Sequence, residues 1–424
     1  MIINKYKLKD IAKIDISSVD KKSKENEQSI KLCNFMDVYN NWAITNKMYN
    51  NFMSATANKN EIERYILKKG MIAITKDSET RDDIGMSTYI ADSFDNVILG
   101  YHTALIIPNN NIVNSKYLNA YLNSKLARNY FSNSASGSGQ RYTLTIDIIG
   151  NLPVFLPNMQ EQSKIGNILS YSDRVIENNT HINNNLEELM KTIYQRWFIE
   201  FEFPNEEGKP YKSSGGKFVY NNELKQEIPE GWKVKKLSDV NNIFLGGTPN
   251  TKNSLYWNGN IKWMNSGEVS NFPVVDTELK ITKMGLENSA TKYMKKGTIV
   301  VSITGNIRTS ILAENMCANQ SVVGIEENSL LKKSYLYPIM KNMTDYYINI
   351  SSGNCQKHIN KKTLEETLIP IPTSNVLNNY YGLAEPYCNL IINNGITNKK
   401  LANQKNFLLP LLMNGQINVD DIEI

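Results

Sequence analysis

The chain repeats itself, and this constrains its fold more than any single motif. Leu8, Asp10 and Ile11 return as Leu237, Asp239 and Val240 about 230 residues further on, and the run from Ile30 to Val38 returns from Ile261 to Val269. Lys68-Lys69-Gly70 stands before a β-rich stretch, as Lys295-Lys296-Gly297 does before Thr298 to Val301. Ser136-Gly137-Ser138-Gly139-Gln140-Arg141 answers to Ser352-Gly353-Asn354-Cys355-Gln356-Lys357, and the exits Leu152-Pro153 and Ile369-Pro370 follow at nearly equal distance. Any one pair is compatible with chance. An ordered series at slowly drifting separation argues for duplication, so the 424 residues should hold two related folded units rather than one large core.

Each copy ends in a helical signal. Asn158 with Glu161 reads as a capping box, and apolar residues then recur at Ile165, Ile168, Val175, Ile182, Leu186, Leu189 and Ile193. Ser172 and Asn179 fill the polar seam positions of this heptad. The second copy repeats the phase through Leu383, Leu390, Thr397, Leu401 and Leu408, with Asn394 at the place of Asn179; Pro386 is expected to start or kink that helix. The globular parts mix short β-branched runs (72–75, 98–107, 298–304) with helical stretches such as 117–131, which suits α+β. Between Pro204 and Gln226, Gly208, Pro210 and Ser213-Ser214-Gly215-Gly216 interrupt both periodicities, as in an exposed connection. The expected organisation is a first globular unit over 1–157, a central spacer helix over 158–203, a linker over 204–227, a second unit over 228–372 and a C-terminal spacer helix over 373–424.

A stripe on a helix ~40 Å long must be buried, and its duplicate is the nearest match. The two helices are expected to pack as an antiparallel coiled coil that separates the units like a ruler, with Asn179 and Asn394 meeting near a pseudo-two-fold axis and setting register. Two similar but unlike heads on a rigid spacer suit a long ligand such as duplex DNA, read as a bipartite, asymmetric site.

Composition permits this without demanding it: 47 basic against 42 acidic residues leave a formal charge of +5. Cys33, Cys317, Cys355 and Cys388 form no CxxC pair, which speaks against a zinc site or disulfide framework and for a reducing, cytoplasmic home. Met1 is followed by polar sequence, and no run approaches a membrane span, so neither secretion nor a membrane partner is expected.

The stretch Leu152-Pro153, Glu161-Gln162, Ile165, Ile168-Leu169-Ser170, Asp173, Ile176, Asn178-Asn179, Leu186-Glu187 and Trp197-Phe198 resembles the central region of type I restriction-modification DNA specificity subunits. Phe201 through Pro204, Gly208 through Lys212, Ser214-Gly215-Gly216 and Ile228-Pro229-Glu230-Gly231-Trp232 with Leu237 are similar to the linker and second entry of that family. The resemblance covers essentially the whole chain. It is weaker in the C-terminal copy, which lacks the Glu-Gln pair. It implies a non-catalytic subunit whose two target recognition domains each read half of a split sequence in double-stranded DNA. Two methyltransferase (modification) subunits would dock on it, restriction (translocase/endonuclease) subunits being further partners. Adenine methylation with S-adenosylmethionine and ATP-driven cleavage would belong to those partners, leaving this chain without catalytic, cofactor or metal sites. The residues agree, with no Walker A pattern, no Asn-Pro-Pro-aromatic or Asp-Pro-Pro-aromatic tetrapeptide and no metal-ligand grouping of His102, His181 and His358. The rival readings are a self-contained DNA methyltransferase or nuclease with duplicated recognition domains, and a scaffold whose recognition domains have degenerated.

Candidate DNA contacts follow from residue chemistry. Ser138, Gln140 and Arg141, and Gln356 and Lys357 in the second copy, place small residues beside an amide and a cation; this suits a phosphate, or is a turn shared because the copies share a fold. Arg308 and Thr304 follow an expected strand end, where an arginine either reads guanine or is a solvated surface group. Arg81 and Lys76 carry the same ambiguity. Trp257 and Trp263 are expected in core or rim rather than stacked on a base, Gly246-Gly247-Thr248-Pro249 as a turn, and Trp197 and Phe198 as anchors of the helix to a domain or a methyltransferase subunit.

Overall fold

The structure, a computed structural model, describes residues 3–138, 141–352, 358–413 and 415–417. It forms two compact units, one of Met1–Val175 with Leu401–Ile424 and one of Ile176–Lys400.

In the first unit the entry strand Asn4–Lys7 pairs antiparallel with the exit strand Pro153–Leu156, closing the domain on itself. Between them lies a five-stranded sheet in the order Ala12–Ile16, Thr103–Pro108, Ile72–Thr75, Ser87–Ile90, Ala43–Ile44. Its central strand is buried along its whole length, because both faces are covered and the period-two alternation sends neighbouring side chains to different cores. Ile72 and Ile74 join Tyr117, Leu118 and Phe131, while Ala73 joins Leu32, Val97 and Ile98. The run 98–107 is two strands, Val97–Leu99 and Thr103–Pro108, parted by a turn in which His102 takes a φ of 72°. The stretch 117–131 is two helices, Ser115–Leu122 and Lys125–Ser134, the second capped by the Ser124 hydroxyl accepting from the Ala127 N–H. Two three-stranded sheets complete the domain: Met53–Ala57 with Gln28–Cys33 and Val97–Leu99, and Ser136–Ser138 with Arg141–Thr143 and Asp77–Ser78.

The second unit repeats this plan. Lys233–Lys236 pairs with Leu368–Ile371. A sheet runs Ile243–Leu245, Val322–Ile325, Ile299–Ser302, Thr309–Ile311, beside a three-stranded sheet of Leu279–Ile281, Trp257–Met264 and Cys317–Ala318. Single bridges, Ser352 with His358 and Thr304 with His358, stand where the first unit has its hairpin sheet. Individual bonds recur as well. The Leu8 N–H donates to the Leu152 carbonyl as that of Leu237 does to Thr367. Tyr117 donates its hydroxyl to the Phe155 carbonyl (2.7 Å) as Tyr335 does to Pro370 (2.8 Å). The duplication read from the sequence is therefore a duplication of backbone pairing.

The long helices are Met159–Tyr194 and Ser374–Met413. The latter runs through Pro386 rather than starting there. Pro386 and Gly382, whose carbonyl loses its partner, are both exposed, so the hydrogen bond that the proline removes is lost on the solvent side of the helix. In the second unit the helices run antiparallel: the Asn179 side chain donates to Asn398 (2.8 Å), and Asn394 donates to Asn183 (2.9 Å). In the first unit Lys405 reaches both carboxylate oxygens of Asp173 at 2.5 and 2.6 Å.

The stripe counted in the sequence is buried in part: Ile165 is in the first core and Leu186 and Ile193 pack against the second, but at other positions the buried residue is the next one along. Ile182 and Leu189 are 42% and 41% exposed, whereas Asn183 and Met190 are 4% and 1% exposed. Leu383 and Leu390 likewise face outward while Ala384 and Ile391 are buried. Both phases carry apolar residues, and a count of apolar residues alone discards Asn183 and Asn398, although these polar groups are satisfied by each other's helix. Asn179 and Asn394 accordingly do not meet; each pairs with an asparagine one turn away. Asn183 also donates to the Ile391 carbonyl at 3.1 Å. Replacing Asn183 alone with leucine leaves the Asn394 amide without its acceptor and should cost about 1–3 kcal/mol. The double change Asn183→Leu with Asn394→Leu removes both partners and should recover most of that loss. Thermal unfolding of the wild type and the two variants checks the order.

The segment expected as an exposed connection is partly folded. Phe218–Asn221 and Gln226–Pro229 form an antiparallel hairpin. Tyr211 stacks on Phe203 with ring centroids 4.6 Å apart, and Phe203 stacks on Trp232. Among its glycines and serines the stretch carries Tyr211 and Phe218, whose rings meet at 5.8 Å and give it something to bury against the flanking Phe203. Among the described residues no helix is long and apolar enough to cross a membrane.

Candidate nucleic-acid interface

The first domain gathers charge at the end of its central strand. Beyond Thr75 the chain leaves the sheet and pairs at Asp77–Ser78 with Arg141–Thr143, placing Thr143 opposite Asp77. The strand continuation that follows the buried run therefore carries a carboxylate to the foot of the hairpin. Asp77 is 7% exposed at its side chain and is surrounded by donors. Thr143 donates its hydroxyl to Oδ1 at 2.6 Å. Lys76 Nζ stands 2.9 Å, His102 Nδ1 2.7 Å and Arg141 Nη2 3.3 Å from Oδ2. Arg141 Nη2 also touches the His102 ring. Burial by itself would raise the Asp77 pKa; the hydrogen bonds from Thr143, Lys76 and His102 outweigh it and hold the carboxyl down to about 2. Asp77 is thus ionised at neutral pH and faces two cations, Lys76 and Arg141, while Glu79 and Asp83 also line the cleft beside it.

A cleft of about 540 Å³ opens beside this cluster, walled by Phe35, Met36, Tyr39, Thr80, His102 and Arg141 among others. Lys76 lies over the Tyr101 ring at 5.6 Å, and the Arg81 guanidinium over Tyr142 at 5.0 Å. Arg141, Lys76 and Arg81 are therefore neighbours of one short sheet, Asp77–Ser78 with Arg141–Thr143. Ser138 pairs with Arg141 across the hairpin. Gln140, Gln356 and Lys357 lie outside the described residues.

The equivalent place in the second domain is built differently. The N–H of Lys76 donates to the His102 carbonyl as that of Ile303 does to Ser321, which aligns Asp77 with Thr304. Thr304 Oγ1 lies 3.1 Å from His358 Nδ1, so a hydroxyl stands where the first domain holds its buried carboxylate. Arg308 is exposed; its backbone N–H donates to Ser302 Oγ at 2.9 Å, which fixes the loop and leaves the side chain outward. It lines a cleft of about 950 Å³ together with Lys191, Tyr337 and Lys341.

Sequence reasoning passed over Asp77 and His102. Asp77 has no counterpart of like charge at Thr304, so the repeat hides it, and His102 was weighed only as a metal ligand. The indole groups of the second domain are internal: the Trp263 N–H donates to the Gly247 carbonyl and that of Trp257 to Asn250, with the rings edge-to-face at 5.1 Å. Trp197 and Phe198 are buried in the second core, against Tyr335 and Tyr380.

Comparison with known proteins bears on what such a pair of domains does. The type I restriction modification DNA specificity domain matches residues 3–188 and again 229–376. The type I restriction enzyme MjaIX specificity subunit of Methanocaldococcus jannaschii is 26% identical over 363 residues, covering 84% of this chain and 80% of that protein. The type I restriction enzyme HindI specificity subunit of Haemophilus influenzae is 24% identical over 405 residues, covering 83% and 87%. A crystal structure of a type I restriction-modification system S subunit from M. genitalium shares the fold with a TM-score of 0.58 at 13% identity, covering 97% of this chain and 96% of that one.

Proposed function

The chain belongs to the type I restriction-modification DNA specificity family and is a specificity subunit of such a system; from that premise we propose that its two domains read the two unlike halves of an asymmetric, bipartite site in double-stranded DNA. One observation carries this reading. The domains share their strand pairing, yet the positions at the end of the central strand differ in chemistry: Lys76, Asp77 and His102 in the first answer to Ile303, Thr304 and Ser321 in the second. Equal scaffolds with unequal tips are what two different half-sites require, since base edges are distinguished by donor and acceptor pattern. Arg141, Lys76 and Arg81 are the contacts we assign to the first half-site, with Ser138 and Gln140, which stand beside Arg141 in the sequence. Arg308 and Thr304, with Gln356 and Lys357, are those we assign to the second.

The chain acts by binding and placement. Adenine methylation and ATP-dependent cleavage are assigned to partner subunits, two methyltransferase subunits and, where the system restricts, translocase/endonuclease subunits, in the cytoplasm. Asn183 and Asn398, with Asn179 and Asn394, set the register of the helix pair. Co-expression with the cognate methyltransferase, followed by mapping of methylated adenines across the host genome, tests the function. The expected result is one two-part motif, different in its two halves and absent when this chain is omitted. Methylation by the purified chain alone, or a motif unchanged by its removal, would overturn the proposal.

A further inference from the structure

We propose that Asp77 is a positioning residue for DNA recognition by the first domain, holding Arg141 so that its unengaged nitrogens read a guanine; this rests on the function proposed above. The geometry is that of a braced donor. Asp77 is buried under the hairpin and tied to its strand by the Thr143 hydroxyl at 2.6 Å. It takes Nη2 of Arg141 at 3.3 Å, and the His102 ring, itself 2.7 Å from the same carboxylate oxygen, also contacts that nitrogen. Among the described residues Nε and Nη1 of Arg141 have no partner, and its side chain is 54% exposed. An arginine fixed at one nitrogen and open at the others presents donors in a set direction.

The chemistry favours a base edge over a phosphate. A phosphate contact draws on net charge and tolerates many orientations, and a carboxylate placed against the cation weakens the charge while restricting the orientation. Guanine N7 and O6 offer two acceptors on one edge, and reading them needs the direction that Asp77 supplies. The wall beside Arg141 is also partly apolar, with Phe35 and the 57%-exposed Met36, which suits a base more than a sugar-phosphate chain. Thr304 has no carboxylate to offer at the place of Asp77, so among the described residues this brace is seen in the first domain.

The test uses the full chain in complex with its cognate methyltransferase, comparing wild type with Asp77→Asn, Asp77→Glu and Arg141→Gln. Methylated-adenine mapping should show one guanine in the first domain's half-site whose preference falls about 10- to 100-fold in Asp77→Asn and Arg141→Gln. Asp77→Glu, which keeps the charge, should retain that preference, and the second half-site should be unaltered in all three. A merely structural role would lower occupancy of every site alike and leave the base preference intact, which would overturn the proposal. So would a uniform loss in Arg141→Gln with the salt slope of DNA binding reduced by about one, the mark of a phosphate contact. Should Asp77→Asn fail to fold, the half-exposed Arg141 still decides between base and phosphate, and Asp77→Glu then tests the bracing. A wild-type complex with no two-part motif would remove the underlying function instead.

Discussion

Truncating Phe198 to alanine should destabilise the second unit by about 3–5 kcal/mol, enough to lower its melting temperature by roughly 10 °C. A π-helical turn, Gln195–Ile199, follows the regular part of the central helix and directs both Trp197 and Phe198 inward. Phe198 then meets Tyr335 at 4.8 Å and Tyr380 at 4.7 Å, both edge-to-face, and Trp232 at 6.0 Å. Three separate segments converge on one ring, so removing it leaves a cavity that no single neighbour can fill. The first unit uses the end of the other helix in the same way, burying Leu412 and Met413 in its own core. Phe198→Leu, which keeps most of the volume, should cost much less, on the order of 1.5 kcal/mol. Urea or thermal unfolding distinguishes the two; equal losses, or none, would show that the ring is not the keystone of this core.

Replacing Gly137 with alanine should abolish the first domain's discrimination between DNA half-sites by about 10- to 100-fold, with the second domain's half still read. Gly137 holds a φ of 130°, where a side chain is strained, and an added Cβ would lie 2.1 Å from the Arg141 carbonyl oxygen. That oxygen is backbone and cannot swing aside. The pairing of Ser138 with Arg141 must open, and Arg141 loses its place beside Asp77 and His102. Genome-wide methylation mapping with the variant complex checks this: an unchanged two-part motif would show that the hairpin does not bear on recognition. Gly208, also at positive φ but with open space about it, provides a matched control in which alanine should leave the motif intact.

How far the sequence could be read depended on what each signal requires. Duplicated order at Leu8/Leu237, Lys69/Lys296 and Ser136/Ser352 was legible because backbone pairing needs the same residue types at the same places in both copies. The helix pair was legible for its length and for part of its buried face, Ile165, Leu186 and Ile193 among it, but not for the whole of that face. Ile182 and Leu189 read as seam because apolar periodicity ignores Asn183, whose burial depends on Asn394 and Ile391 of a helix some two hundred residues away. Pro386 read as a start or a kink because the local penalty is visible in sequence; the helix runs through it, and the exposure that relieves the penalty is not visible there. The aromatic residues of the 204–227 stretch were hidden by the turn formers beside them.

At the candidate interface Arg141, Lys76 and Arg81 were found by charge and by their proximity to glycine or strand ends. Asp77 and His102 were not, and nothing local distinguishes them. By itself the sequence determined the duplication, the α+β class, the two long helices and the family, because all of these are written in residue type and spacing along one strand or one helix. The tertiary structure alone decided which face of each helix is buried, which asparagines pair, and that Asp77, His102 and Arg141 form one cluster. Those outcomes depend on segments remote in the chain arriving at the same place, and the free energy of a buried carboxylate or amide is set by the partners it meets there.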